Sequence, residues 1–145
     1  MQEKTEKTGD GQRATGNRRP AMAVGGDIAE RLLRFGVAVL RLAAGFPKDR
    51  AGRHVAHQYV RSATGAGANY EEARAAESRA DFVHKLAISA KEMREACYWT
   101  LLVKRSEWIQ EDLGSVVQEA QELAAILGAS ARTARARAET AKPRK

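Results

Sequence analysis

The chain has one cysteine, three prolines and two tryptophans among 145 residues, and each scarcity removes an architecture. A single thiol, Cys97, forms no intrachain disulfide, so a cross-linked scaffold is excluded, and a reducing, cytoplasmic setting is the expectation. Few prolines and sparse β-branched residues beside abundant alanine favour helix over sheet. Apolar runs are short, and Phe35 to Leu40 stops at Arg41. That is far short of the roughly 20 residues a membrane helix needs. The N-terminus is polar and lacks an apolar h-region, so no secretory signal is expected. No HExxH, no ExxH and no glycine-rich loop ending in GK[ST] occurs. The segment TGAGANY at 64–70 has the glycines of a phosphate loop without its lysine and hydroxyl.

What is present is charge and helical periodicity. The net charge is +7, unevenly spread. Residues 1–26 carry five basic and three acidic groups, residues 27–131 carry fourteen of each, and residues 132–145 carry six basic groups against Glu139. A neutral body with basic ends is therefore expected. Residues 1–26, without apolar periodicity, read as a disordered extension, and Met22 is a second candidate start. The Arg-rich end can attract RNA or DNA by counterion release, with Arg132, Arg135, Arg137, Lys142, Arg144 and Lys145 as its contacts. It can equally serve as a solubilising tail.

Four helices are predicted across residues 27–128. Asp27 is placed to cap the first, which runs to Ala44. Ile28, Leu32, Phe35, Val39 and Leu42 form its inner stripe, and Leu33 and Leu40 widen it. Gly45-Phe46-Pro47 ends it, with Phe46 folding back over the bundle end. The second helix starts near Asp49 or Ala51. Its inner face is Val55, Tyr59, Ser62, Ala63, Ala66 and Tyr70, and Gly65 and Gly67 predict a bend or a tight crossing. Ser78-Arg79-Ala80-Asp81 is a capping-box pattern opening a third helix that runs to about Arg105. The broad apolar surface over residues 93–103 predicts burial against a second subunit. Trp108 and Ile109 open the fourth helix, and Gly128 is its expected C-cap. Residues 129–145 form an Ala/Arg-rich helical extension and basic tail. The fold class is all-α, an antiparallel up-down-up-down four-helix bundle with long helices.

Candidate chemistry is thin. His54, His57 and His84, with Glu72, form the one set from which a metal-dependent hydrolase could be built; a surface histidine set is the simpler reading. Glu71, Glu72, Glu92 and Glu95 could gather into an acidic cluster, or pair with Arg61, Arg74, Lys91 and Arg94 to fix helix register. Cys97 reads as a packed thiol, and Tyr98, Trp99 and Trp108 as packing aromatics rather than base-stacking platforms. No catalytic residue, cofactor or metal site is assigned, and no enzyme activity is expected.

Several motifs occur in a recognisable order: Phe46-Pro47, Asn69-Tyr70-x-Glu72-Ala73, AESRADFVHKL at 76–86 and KEMREACYW at 91–99. Over about residues 28–127 the chain resembles the four-helix bundle proteins named for the 23S ribosomal RNA intervening sequence. The resemblance implies long antiparallel bundles that assemble as ring-like homopentamers without a demonstrated biochemical activity. It marks Asn69, Glu72, Phe82 and Glu95 as fold-defining. A related form, the accessory protein of diversity-generating retroelements, is basic and works with a reverse transcriptase and nucleic acid. This chain has Gly67-Ala68 where the intervening-sequence family often places a proline before the asparagine.

Overall fold

Each of four helical segments buries a stripe of its residues in one shared core, and the helices pack in chain order. The computed structural model describes residues 25–141 and residue 143. The N-terminal extension up to residue 24, and the expected contacts Lys142, Arg144 and Lys145, lie outside the described residues. The helices are α1 (Gly26–Ala44), α2 (Arg50–Arg74), α3 (Arg79–Ser106) and α4 (Gly114–Thr140). Each packs on the next, and α1 also meets α4. This is the antiparallel up-down bundle the sequence predicts.

The local signals explain most boundaries. Asp49 caps α2 by accepting the Gly52 amide at 2.8 Å, and Ser78 caps α3 by accepting the Asp81 amide at 3.1 Å. The reciprocal half of the capping box, from Asp81 back to Ser78, is not formed. Asp27 is not the cap of α1. That place belongs to Gly25, in the left-handed region at φ 84°, where a β-carbon would come within 2.8 Å of the Tyr70 hydroxyl. Asp27 instead sits in the first turn, where its charge suits the helix dipole.

Two ends differ from expectation. Residues 107–113 are a connection rather than helix, so Trp108 and Ile109 precede α4 instead of opening it. Glu107, left-handed at φ 59°, stops α3. Asp112 then accepts the Gly114 amide at 2.9 Å. Gly128 lies inside α4, which continues to Thr140 with Ala131 and Ala134 packed against the core.

The core runs along the bundle axis. Leu32, Phe35 and Val39 of α1 meet Tyr59, Ala63 and Ala66 of α2, Met93, Ala96 and Val103 of α3, and Leu123 and Leu127 of α4. Phe46 closes one end, stacked on Tyr59 at 6.3 Å and tilted against Trp108 at 5.8 Å. Burial pushes the Tyr59 phenol up to about 12 against the opposing effect of its hydrogen bond to Thr100. Helix α2 stays continuous through Gly65 and Gly67. An added β-carbon would meet Glu92 at 3.5 Å and Leu32 at 3.7 Å respectively, ordinary contacts, so these glycines are not needed for the crossing.

Two sequence readings of the apolar surface are reversed. Most of the 93–103 face is used within the chain: Met93, Ala96, Thr100 and Val103 are buried, and Trp99 and Leu102 pack against the core. Leu33 and Leu40, assigned to the inner stripe of α1, point outward at 64% and 50% exposure.

Helix α1 is tied to α4 by Arg31, whose guanidinium donates to both Glu119 oxygens at 2.8 Å and to Glu122 at 2.7 Å. The hydrogen bond from Arg31 holds the Glu119 carboxyl below the usual range against its partial burial. A depressed folded-state pKa contributes stability above the unfolded value, near pH 4.3. That stability is lost as pH falls through the folded value. Arg31→Ala is expected to cost about 1 kcal/mol at neutral pH and to flatten the acid limb of stability, measured by urea unfolding from pH 7 downward.

Candidate functional site

Helices α2 and α3 share the most extensive polar seam, built from residues spaced to repeat on one face. As residue numbers rise along α2 they fall along α3. Tyr59 pairs with Thr100 at 2.7 Å, Arg61 with Glu95 and Glu92, Ser89 donates to the Ala66 carbonyl at 2.7 Å, and Glu72 meets Lys85. Ser62, Ser89 and Thr100 are buried, and each hydroxyl finds a backbone carbonyl. This seam sets register. It presents no nucleophile–base pair.

The predicted site residues fall into place on it unequally. Glu72 and Glu95 both bridge α2 to α3. Burial works against the charged form of Glu95, but hydrogen bonds from Arg61 and the Trp99 indole hold it below the usual carboxylate range. Asn69 donates to the Gly65 carbonyl within its own helix at 2.9 Å. Phe82 remains 38% exposed beside the end hollow lined by Tyr70, Arg79 and Ser130.

Of the two readings of the glutamates, the structure shows pairing with basic residues and no acidic cluster. Glu71 turns to Arg74, Glu72 to Lys85, and Glu92 and Glu95 to Arg61. The hydrolase set is dispersed: His54 packs edge-on to Trp99 near one end, while His84 follows the capping turn of α3 at the other. Since Glu72 lies 15 residues along α2 from His57, about 22 Å of helix separates them. Among the described residues no group of three His, Cys, Asp or Glu is arranged to hold a metal ion. Cys97 is half-buried, and burial pushes its thiol up, the opposite of a reactive thiolate.

Two surface features remain. A groove of about 700 Å³ runs between α1 and α2, with Leu33, Val37 and Leu40 along its edge and Gly36, Ala63 and Gly67 in its floor. Mixed charges, Glu30 and Arg74 among them, rim it. On the other side, Arg132 and Arg135 lie on α4, in the Ala/Arg-rich stretch read as a helical extension. They face Lys91 and Arg94 of α3, which by sequence alone are counter-ions for glutamate. Arg137 lines a neighbouring hollow with Arg79 and Phe82.

The 23S rRNA-intervening sequence protein model matches residues 26–129, which takes in α1, α2, α3 and the first half of α4. The chain belongs to that family. A crystal structure from Bacteroides thetaiotaomicron, a protein of unknown function from the S23 ribosomal protein family, is similar at 33% identity and a TM-score of 0.64. The match covers 73% of this chain and 96% of that one. No protein of curated function matches the chain. Within this intervening-sequence family fold, residues 130–140 of α4 extend past the matched region and carry the three helical arginines. Among the described residues, no helix is long and apolar enough to cross a membrane.

Proposed function

We propose that this chain is a non-enzymatic, self-assembling four-helix bundle that works in the cytoplasm as a scaffold or accessory protein in an RNA- or DNA-associated process. The observation that carries the assembly is the α1–α2 groove. Leu33, Val37 and Leu40 stand exposed on one helix face, an arrangement that marks an interaction surface. A second copy of the chain is its occupant. The mixed-sign rim suits a protein surface of near-zero net charge, such as this bundle, better than a polyanion. The family resemblance supports a ring of five, and the basic C-terminal end, with six basic groups against Glu139, supports a nucleic-acid partner.

Repetition around a ring would multiply the positive surface of each subunit, so weak contacts with one polyanion add through avidity. Protein isolated at low salt is expected to carry nucleic acid and to release it as salt rises. Because α4 packs through residues 131 and 134, deletion of 129–145 would confound the test, and salt titration of the full chain avoids that. A defined oligomer that retains neither RNA nor DNA at about 0.15 M salt would favour a purely structural, protein-binding bundle.

A further inference from the structure

Helix α3 sorts its charges by face. Glu92 and Glu95 turn toward α2, where both pair with Arg61. Lys91 and Arg94 turn toward α4 and meet Arg132 and Arg135 across a groove of about 320 Å³. No carboxylate lines that groove; its other lining residues are alanines and Gly128. None of the four cations has an ion-pair partner among the described residues, although the bundle elsewhere pairs Arg31, Arg61, Arg74 and Lys85. A β-carbon at Gly128 would lie 3.4 Å from an Arg132 guanidinium nitrogen, so the bare glycine leaves the floor open beside that side chain.

Like charges at helical i, i+3 spacing repel, and here two such pairs are also set across from each other. Their common complement is a row of phosphates. Tyr98 adds a second feature. It lies one turn beyond Arg94 on the same stripe of α3, and it is 58% exposed although its ring meets Trp99 in a T-shaped contact at 4.9 Å. An exposed aromatic beside a cationic groove is the arrangement that holds single strands, phosphates in the groove and a base stacked on the ring.

We infer that the α3–α4 groove binds the phosphate backbone of a single nucleic-acid strand through Lys91, Arg94, Arg132 and Arg135, with Tyr98 as a stacking platform. The inference deepens the nucleic-acid reading above and rests on it. The groove spans body and C-terminal extension, so neither a neutral body nor a free basic tail describes it.

The test uses the full chain, a fluorescent oligouridylate, the matching oligothymidylate and a blunt RNA duplex. Lys91, Arg94, Arg132 and Arg135 are changed together to glutamine. A control set changes Arg41, Lys48, Arg50 and Arg53 to glutamine, removing the same charge from exposed sites at the other end of the bundle. The groove variant is expected to lose at least about 100-fold in oligouridylate affinity at low salt. Its slope of log affinity against log salt should fall by about 3, since each single-strand phosphate contact contributes about 0.7. The control set should shift affinity by less than about tenfold, and both variants should keep the wild-type helicity and assembly mass. Tyr98→Ala should weaken binding about tenfold, and Tyr98→Phe should not. Oligothymidylate shares the backbone chemistry, so groove-dependent binding of either strand supports the site. Equal losses in groove and control variants, or a duplex bound as tightly as the single strand, would overturn it while leaving nucleic-acid association intact. A wild-type chain that binds none of the probes overturns both.

Discussion

Alanine at Gly52 is expected to destabilise the bundle by about 3 kcal/mol, at the upper end of overpacking costs. The turn between α1 and α2 folds directly over the first turn of α2. A β-carbon at residue 52 would overlap the Pro47 carbonyl oxygen and come within 2.7 Å of its carbon. Both are backbone atoms, so relief requires the turn itself to move. That movement would disturb Phe46, buried at 2% exposure and packed between Tyr59 and Trp108, and the Asp49 cap on the Gly52 amide. Gly67→Ala has the opposite expectation. Its β-carbon meets Leu32 at an ordinary 3.7 Å, and replacing a mid-helix glycine should stabilise by up to about 1 kcal/mol. Chemical denaturation of both variants measures the contrast. A Gly52→Ala protein as stable as wild type would contradict the close packing of the Pro47 carbonyl on Gly52.

Glutamate at both Leu33 and Leu40 is expected to break the assembly into single chains without unfolding them. Both side chains are at least half exposed in the isolated bundle, so the fold itself places no demand on them. In an assembled protein they would be covered, and each unpaired carboxylate trapped in an interface costs several kcal/mol. The combined effect should weaken association by about a thousandfold or more. Sedimentation velocity reads the mass and circular dichroism the fold. A double variant that keeps the wild-type mass would remove the α1–α2 groove as the subunit interface.

The helices were legible in the sequence because their signals are local. The Ser78 cap and the spacing of Val55, Tyr59, Ser62 and Ala66 each depend on a few adjacent residues. What was not legible depends on partners. Leu33 and Leu40 fit the helical stripe of α1 as well as Leu32 and Val39 do, and only the positions of α2 and α4 decide which are covered. Trp108 and Ile109 are as apolar as a helix start, but Glu107 turns left-handed before them, a conformation rarely taken outside glycine, asparagine and aspartate. Gly128 has the residue type of a stop signal; packing by Ala131 and Ala134 carries the helix past it.

The candidate surfaces follow the same division. Arg132 and Arg135 could be found by counting charge near the C-terminus. Lys91 and Arg94 could not, because they alternate with Glu92 and Glu95 and vanish into a balanced sum. Rotation of about 100° per residue around α3 separates them, sending glutamates to Arg61 and cations to α4. Net charge is thus a poor guide here, since the neutral body presents one face on which charges cancel and another on which they do not.

If the proposed assembly holds, one copy of this bundle is incomplete. Light scattering coupled to size exclusion tests it most directly, on untagged full-length protein diluted through the micromolar range. A concentration-independent mass several times that of the 15.8 kDa chain is expected, a fivefold multiple if the family resemblance extends to its ring. A mass equal to a single chain at every concentration would contradict it.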